Sequence, residues 1–141
     1  MRLGSVAAAA VLLISTAGAA DAATLHFSAT LKGADEVPPN TTTGSGEVTA
    51  TLDTTNQAFS YAVTYSGLTA AAMAAHFHGP AAPGSNAPPI ITIKALASPI
   101  KGEAMLTEAQ IADLKAGRWY FNVHTAAHPT GEIRGQLKMT P

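Results

Sequence analysis

The sequence of 141 residues contains no cysteine. That excludes a disulfide framework, a thiolate metal site, a thiol nucleophile and a lipid-bearing cysteine. Charge is scarce too, at 12% of residues, with eight basic against nine acidic side chains and a net charge of −1. A near-neutral chain has no basic surface to displace counterions from phosphate, so nucleic acid is not an expected partner. No apolar run reaches the roughly 20 residues of a spanning helix, so no membrane span is expected. There is no P-loop, no dinucleotide fingerprint and no G-x-S-x-G nucleophile elbow. Asp35 and Glu36 are adjacent, so in an extended segment they point apart and do not pair as acid and base.

What remains is apolar: 47% of residues are hydrophobic, with eight aromatics, which argues against disorder. The length suits one domain. Arg2, the apolar run Val6–Ala17 and the small residues after it have the form of a secretory signal with several A-x-A exits. Residues 1–22 are therefore expected to be a cleaved signal peptide and 23–141 an exported soluble domain, periplasmic or secreted. Such a domain, without cysteine, must be held by its hydrophobic core.

Alternation of apolar and polar residues runs through the mature chain and predicts strands. Thr24–Leu31, Glu47–Asp53, Ala58–Tyr65, Arg118–Thr125 and Glu132–Met139 carry it most clearly, with shorter candidates at Ala75–His78 and Ile90–Ala95. Ala70–Ala75 reads as a small-residue loop. One helix is signalled by Thr107 as cap, Gln110 at the capping-box position, Ile111 and Leu114 as apolar face, and Gly117 as stop. About seven short strands between Gly- and Pro-rich turns predict a β-sandwich or Greek-key barrel.

Histidine is the concentrated chemistry. His76 and His78 lie two apart on a predicted strand, so both rings point to one side while Phe77 points into the core. Parity places His124 opposite Trp119, Phe121 and Val123 and beside Asn122, again facing outward. If the two strands are neighbours, His76, His78 and His124 form an all-imidazole site suited to copper or zinc. His26, alone on the first strand, and His128, in the Ala127–Gly131 turn, read as solvated surface. Glu132 and Arg134 share a face of the last strand and read as a weak surface ion pair or, alternatively, as residues that orient a nearby loop. Asn40-Thr41-Thr42 is a formal glycosylation sequon, meaningful only in a eukaryotic host.

Several segments together are similar to the CHRD (chordin-type) domain family. They are Leu31–Pro39 (LKGADEVPP), Gly46-Glu47-Val48, Tyr65–Leu68, Ala75–Ala81 (AHFHGPA), Leu106-Thr107 and the long block Tyr120–Leu137. The family usually carries Asn where this chain has His128. The resemblance implies an all-β, Greek-key, immunoglobulin-like sandwich related to copper/zinc superoxide dismutases, with one short helix, and no assigned biochemical activity. It also implies that His76-Phe77-His78 corresponds to the dismutase H-x-H copper pair and His124 to its late copper histidine. The zinc half does not carry over, because Gly79–Pro89 contains neither histidine nor aspartate.

Three readings stay open on this basis. The first is a non-enzymatic copper-binding module with His76, His78 and His124 as ligands. The second is a copper-only, dismutase-like redox enzyme. The third is a structural or protein-interaction module in which the imidazoles brace loops, for example His78 against carbonyls of Gly79–Pro89.

Overall fold

The computed structural model describes residues 22–141, so the expected signal segment lies almost wholly outside the described residues. The strands are β1 (Thr24–Lys32), β2 (Ser45–Asp53), β3 (Ala58–Ser66), β4 (Ala72–His78), β5 (Pro89–Thr92), β6 (Ile100–Met105), β7 (Tyr120–Thr125), β8 (Ile133–Gln136) and β9 (Lys138–Thr140), with helix α1 (Glu108–Lys115) between β6 and β7. They hydrogen-bond in the order β5-β4-β7-β8-β1-β2-β3-β6, with β9 also on β1. Every pairing is antiparallel. One half, β5-β4-β7-β8, folds over the other, β1-β2-β3-β6. The connections β3–β4, β5–β6 and β6–β7 cross between halves, as in Greek-key folds.

The period-two pattern decides what lies between the halves. Phe27, Ala29 and Leu31 of β1, Val48, Ala50 and Leu52 of β2, and Phe59 and Val63 of β3 are buried against Ala75 and Phe77 of β4 and Phe121 and Val123 of β7. Aromatic edges lock the halves. Across the halves, Phe59 meets Phe77 with ring centres 5.4 Å apart and Trp119 at 5.6 Å, while Phe77 meets its cross-strand partner Phe121 at 4.7 Å within one half. Edge-to-face pairs of this kind add to what their buried area contributes.

The halves join through a strand that changes partner. The expected continuous strand Glu132–Met139 is broken at Leu137, which is fully buried and donates its N–H to the Trp119 carbonyl. Before the break the chain pairs with β7; after it, β9 pairs with β1. At the seam Lys32 pairs with Arg134, and a Cβ on Gly135 would lie 2.2 Å from the Thr30 carbonyl oxygen. Only glycine permits that approach.

Two further differences from expectation have simple causes. Strand β6 escapes pattern reading because its inward side chains are only Ile100, Gly102 and Ala104, while Lys101, Glu103 and Met105 are exposed. It is an edge strand whose charges guard against further pairing. Strand β4 starts at Ala72, inside the stretch expected to be a loop. Helix α1 forms as expected: Thr107 Oγ1 accepts from the Gln110 N–H, the Gln110 side chain accepts from the Thr107 N–H, and Gly117 follows the helix at φ +71°.

Candidate metal centre

Strands β4 and β7 are neighbours, with His76 opposite Asn122, His78 opposite Tyr120 and Ala74 opposite His124. The adjacency brings His76, His78 and His124 together, each offering a ring nitrogen within 4.8 Å of the others. The tightest approach is Nδ1 of His76 to Nε2 of His124, 3.3 Å. Two imidazoles bound about 2 Å from one tetrahedral ion stand about 3.3 Å apart, so this pair already has ligand spacing. The third nitrogen has to draw in by at most about 1.5 Å to match it.

Backbone carbonyls set the tautomers. Nδ1 of His124 faces the Pro129 carbonyl at 3.0 Å, so it carries the proton and Nε2 presents its lone pair. Nδ1 of His78 faces the Ala87 carbonyl at 2.8 Å and is likewise the protonated nitrogen. Orientation of a ligand imidazole by a carbonyl on its far nitrogen is the usual outer support of a metal site. Burial, reinforced by repulsion from the other two imidazoles, pushes the His76 pKa down. Burial pushes His78 down as well, against the raising effect of its bonds to Ala87 and Asn122. Lowered values keep both rings neutral, the form that binds a cation.

Nε2 of His78 is engaged by Asn122, whose Oδ1 lies 3.0 Å away. A neutral ring protonated at Nδ1 needs a donor there, and a half-turn of the amide supplies its NH2. His78 therefore has both nitrogens occupied, and serving as a ligand requires Nε2 to exchange Asn122 for the ion. The donor set fits an imidazole-binding ion on two counts, the His76–His124 spacing and the His124 tautomer set by the Pro129 carbonyl.

The histidines lie on the outer face of the sheet as expected, but not in open solvent: His78 is only 8% exposed. The loop from Gly79 to Pro88 covers it, held by Tyr120 and Arg134. Tyr120 stacks on His78, with planes 3° apart and ring centres 4.7 Å apart, and its hydroxyl bonds Ala87. Arg134 lies 3.5 Å over the Tyr120 ring and donates to the Asn86 side chain and the Ser85 carbonyl. Parity places Asn122 on the His124 face but does not show the loop above it.

The expected surface pair Glu132–Arg134 is a misreading, since both side chains are buried, at 0% and 2% exposure. They do not pair with each other. Arg134 serves the covering loop, while Oε1 of Glu132 accepts from Thr42 Oγ1 (2.8 Å), Thr69 N (2.9 Å) and Thr69 Oγ1 (2.6 Å). Burial raises the Glu132 pKa, but the bonds from Thr69, Thr42 and Thr125 outweigh it and hold the carboxyl below its usual range. Glu36 is the acid that the sequence left without a role. It is 4% exposed, and its carboxyl lies against Gly131, where a Cβ would meet Oε1 at 2.3 Å. Burial pushes it from 4.5 up to about 7, against the lowering pull of Arg134, Asn122 and the Val37 N–H.

His26 is exposed on β1, opposite Thr51 and Thr140, away from the cluster. His128 is not solvated surface as expected: it is half-buried, with Nε2 3.9 Å from Glu132 Oε1, and it does not join the three histidines. Among the described residues no helix is long and apolar enough to cross a membrane. Compared with known proteins, the chain matches none of the curated ones and none of the solved structures. The family model of the CHRD domain matches residues 27–137, nearly the whole described chain, and the protein belongs to the CHRD domain family.

Proposed function

We propose that this CHRD domain is an exported binding module that holds copper through His76, His78 and His124. The observation carrying the reading is the 3.3 Å approach of His76 Nδ1 to His124 Nε2, made by residues 48 positions apart with the His124 tautomer fixed from behind. An all-imidazole set favours copper over other divalent ions in the affinity order. Bound there, copper would supply a one-electron couple. The protein's part is to favour the neutral form of His76 and His78, hold the tautomers of His78 and His124, and cover His78 with the Gly79–Pro88 loop. Export rests on the form of the N-terminal segment. A binder is favoured over a dismutase-like enzyme because neither arginine candidate stands free to guide an anion: Arg134 is buried under its loop, and Arg118 is paired with Asp113.

Copper titration of the purified domain tests this. The expected result is one tight copper ion per chain, with tight binding lost in a His76→Ala/His124→Ala variant. Absence of binding at micromolar copper overturns the reading. Superoxide consumption by the loaded protein separates enzyme from binder.

A second reading draws on His78, both of whose nitrogens are already bonded, to Ala87 and Asn122. In that case the ring braces the loop and the domain is an interaction scaffold without metal. His78→Ala would then loosen Gly79–Pro88 while metal content stays at background.

A further inference from the structure

Strand β4 contains one residue too many beside the histidines. Ala74 pairs with His124, but Thr125, the next residue on β7, pairs with Ala72 rather than Met73. Met73 is thus the extra residue of a β-bulge. Burial shows where it goes. Ala72 packs on the core, Ala75 and Phe77 are fully buried in it, and His76 and His78 alternate to the outer face. Between the core-facing Ala72 and Ala75 stand two residues, Met73 and Ala74, where strict alternation has room for one. Met73 accordingly shares the outer face of His76, His78 and His124, next to the Ala74 that pairs with His124.

Met73 is also the most exposed large apolar side chain among the described residues, at 66%. Exposure alone would mean little, since Met105 and Met139 are exposed as well. Those two lie on β6 and β9, in the other half of the sandwich. Only Met73 is turned outward by a bulge beside the imidazoles, and bulges commonly re-aim a side chain next to a functional site. Met73 lies beside the Ala74 that faces His124, so its nearest imidazole is a diagonal neighbour about 7–8 Å away, within reach of an unbranched thioether.

We propose that Met73 is a soft fourth donor of the histidine site, giving it affinity for Cu(I) as well as Cu(II) and discriminating against zinc. The inference rests on the copper reading of the three histidines. Thioethers select Cu(I), whereas imidazole, although it binds Cu(II) above zinc in the affinity order, is a ligand for both ions. A site of three imidazoles and one flexible thioether keeps its ion in either oxidation state, as a copper carrier or store in an exported compartment requires.

The test is anaerobic Cu(I) competition against a chromophoric chelator, paired with Cu(II) titration, on the wild-type domain, Met73→Leu and Met73→Ala. Both substitutions are at an exposed position, so folding is expected to persist. Expected are a tenfold or greater loss of Cu(I) affinity in both variants, Cu(II) affinity within about twofold of wild type, and a copper–sulfur signal in X-ray absorption of the wild type that Met73→Leu lacks. Wild-type Cu(I) affinity in Met73→Leu, with no copper–sulfur signal in either protein, overturns the role of Met73 and leaves the histidine site standing. Failure of the wild type to bind either copper state overturns both.

Discussion

Nδ1 of His76 and Nε2 of His124 face each other at 3.3 Å across two neighbouring strands, 48 residues apart in the chain. Neither ring is placed by chance. Pairing of β4 with β7 puts them on one face, and the Pro129 carbonyl turns the His124 lone pair inward. The surroundings of this pair yield expectations that do not depend on the identity of the ion.

Glu36 should make stability depend on pH. Its folded pKa, about 7, is above the ordinary 4.5, so the folded state holds the proton more tightly. Its contribution is fully present below pH 4.5 and is lost as pH rises through 7. The loss amounts to about 3 kcal/mol at most, from 1.36 kcal/mol per pKa unit. His76 and His78, with lowered values, act the other way and destabilise the fold as pH falls below 6.5. The comparison that isolates Glu36 is therefore wild type against Glu36→Gln, by urea denaturation from pH 4 to 8. The variant is expected to gain relative stability with rising pH; parallel curves would contradict the account.

Arg134 should matter through the loop it holds. Arg134→Lys keeps the charge but cannot bond Ser85 and Asn86 while stacking on Tyr120. Loss of charged hydrogen bonds in a buried setting costs about 2 kcal/mol. Hydrogen exchange is expected to rise in residues 79–88 specifically, and metal affinity to fall because His78 loses its cover. A uniform rise across the sheet would instead indicate general destabilisation.

Gly135 should be intolerant of any side chain. A Cβ 2.2 Å from the Thr30 carbonyl would pry β8 from β1 at the seam of the sandwich. Overpacking against backbone costs about 1–3 kcal/mol. Gly84 provides the contrast, since a Cβ there meets nothing within 4 Å, although its φ of +82° favours glycine. Thermal unfolding of Gly135→Ala and Gly84→Ala is expected to show the larger drop for Gly135→Ala; equal drops would mean that the seam is not tightly packed.

Much of this molecule is legible in its residues because alternation has a period of two. Phe27, Val48, Phe59, Phe77 and Phe121 declare the core, and Thr107 with Gln110 declares the helix. Parity also puts His76, His78 and His124 outside the core. What alternation cannot carry is which strands pair, so adjacency of β4 and β7 became visible only in three dimensions. Nor does it tell a covered outer face from a wet one. Glu132 and Arg134 share a face as read, yet loops bury both. Met73 illustrates a third blind spot: one inserted residue shifts the register, and a run of alanines gives no contrast by which to see it.

The most direct measurement is metal analysis of the domain purified from its native compartment without added metal. The account predicts close to one copper per chain, with little zinc, and loss of that copper in the His76→Ala/His124→Ala variant. Protein that arrives folded with neither copper nor zinc above background would contradict it.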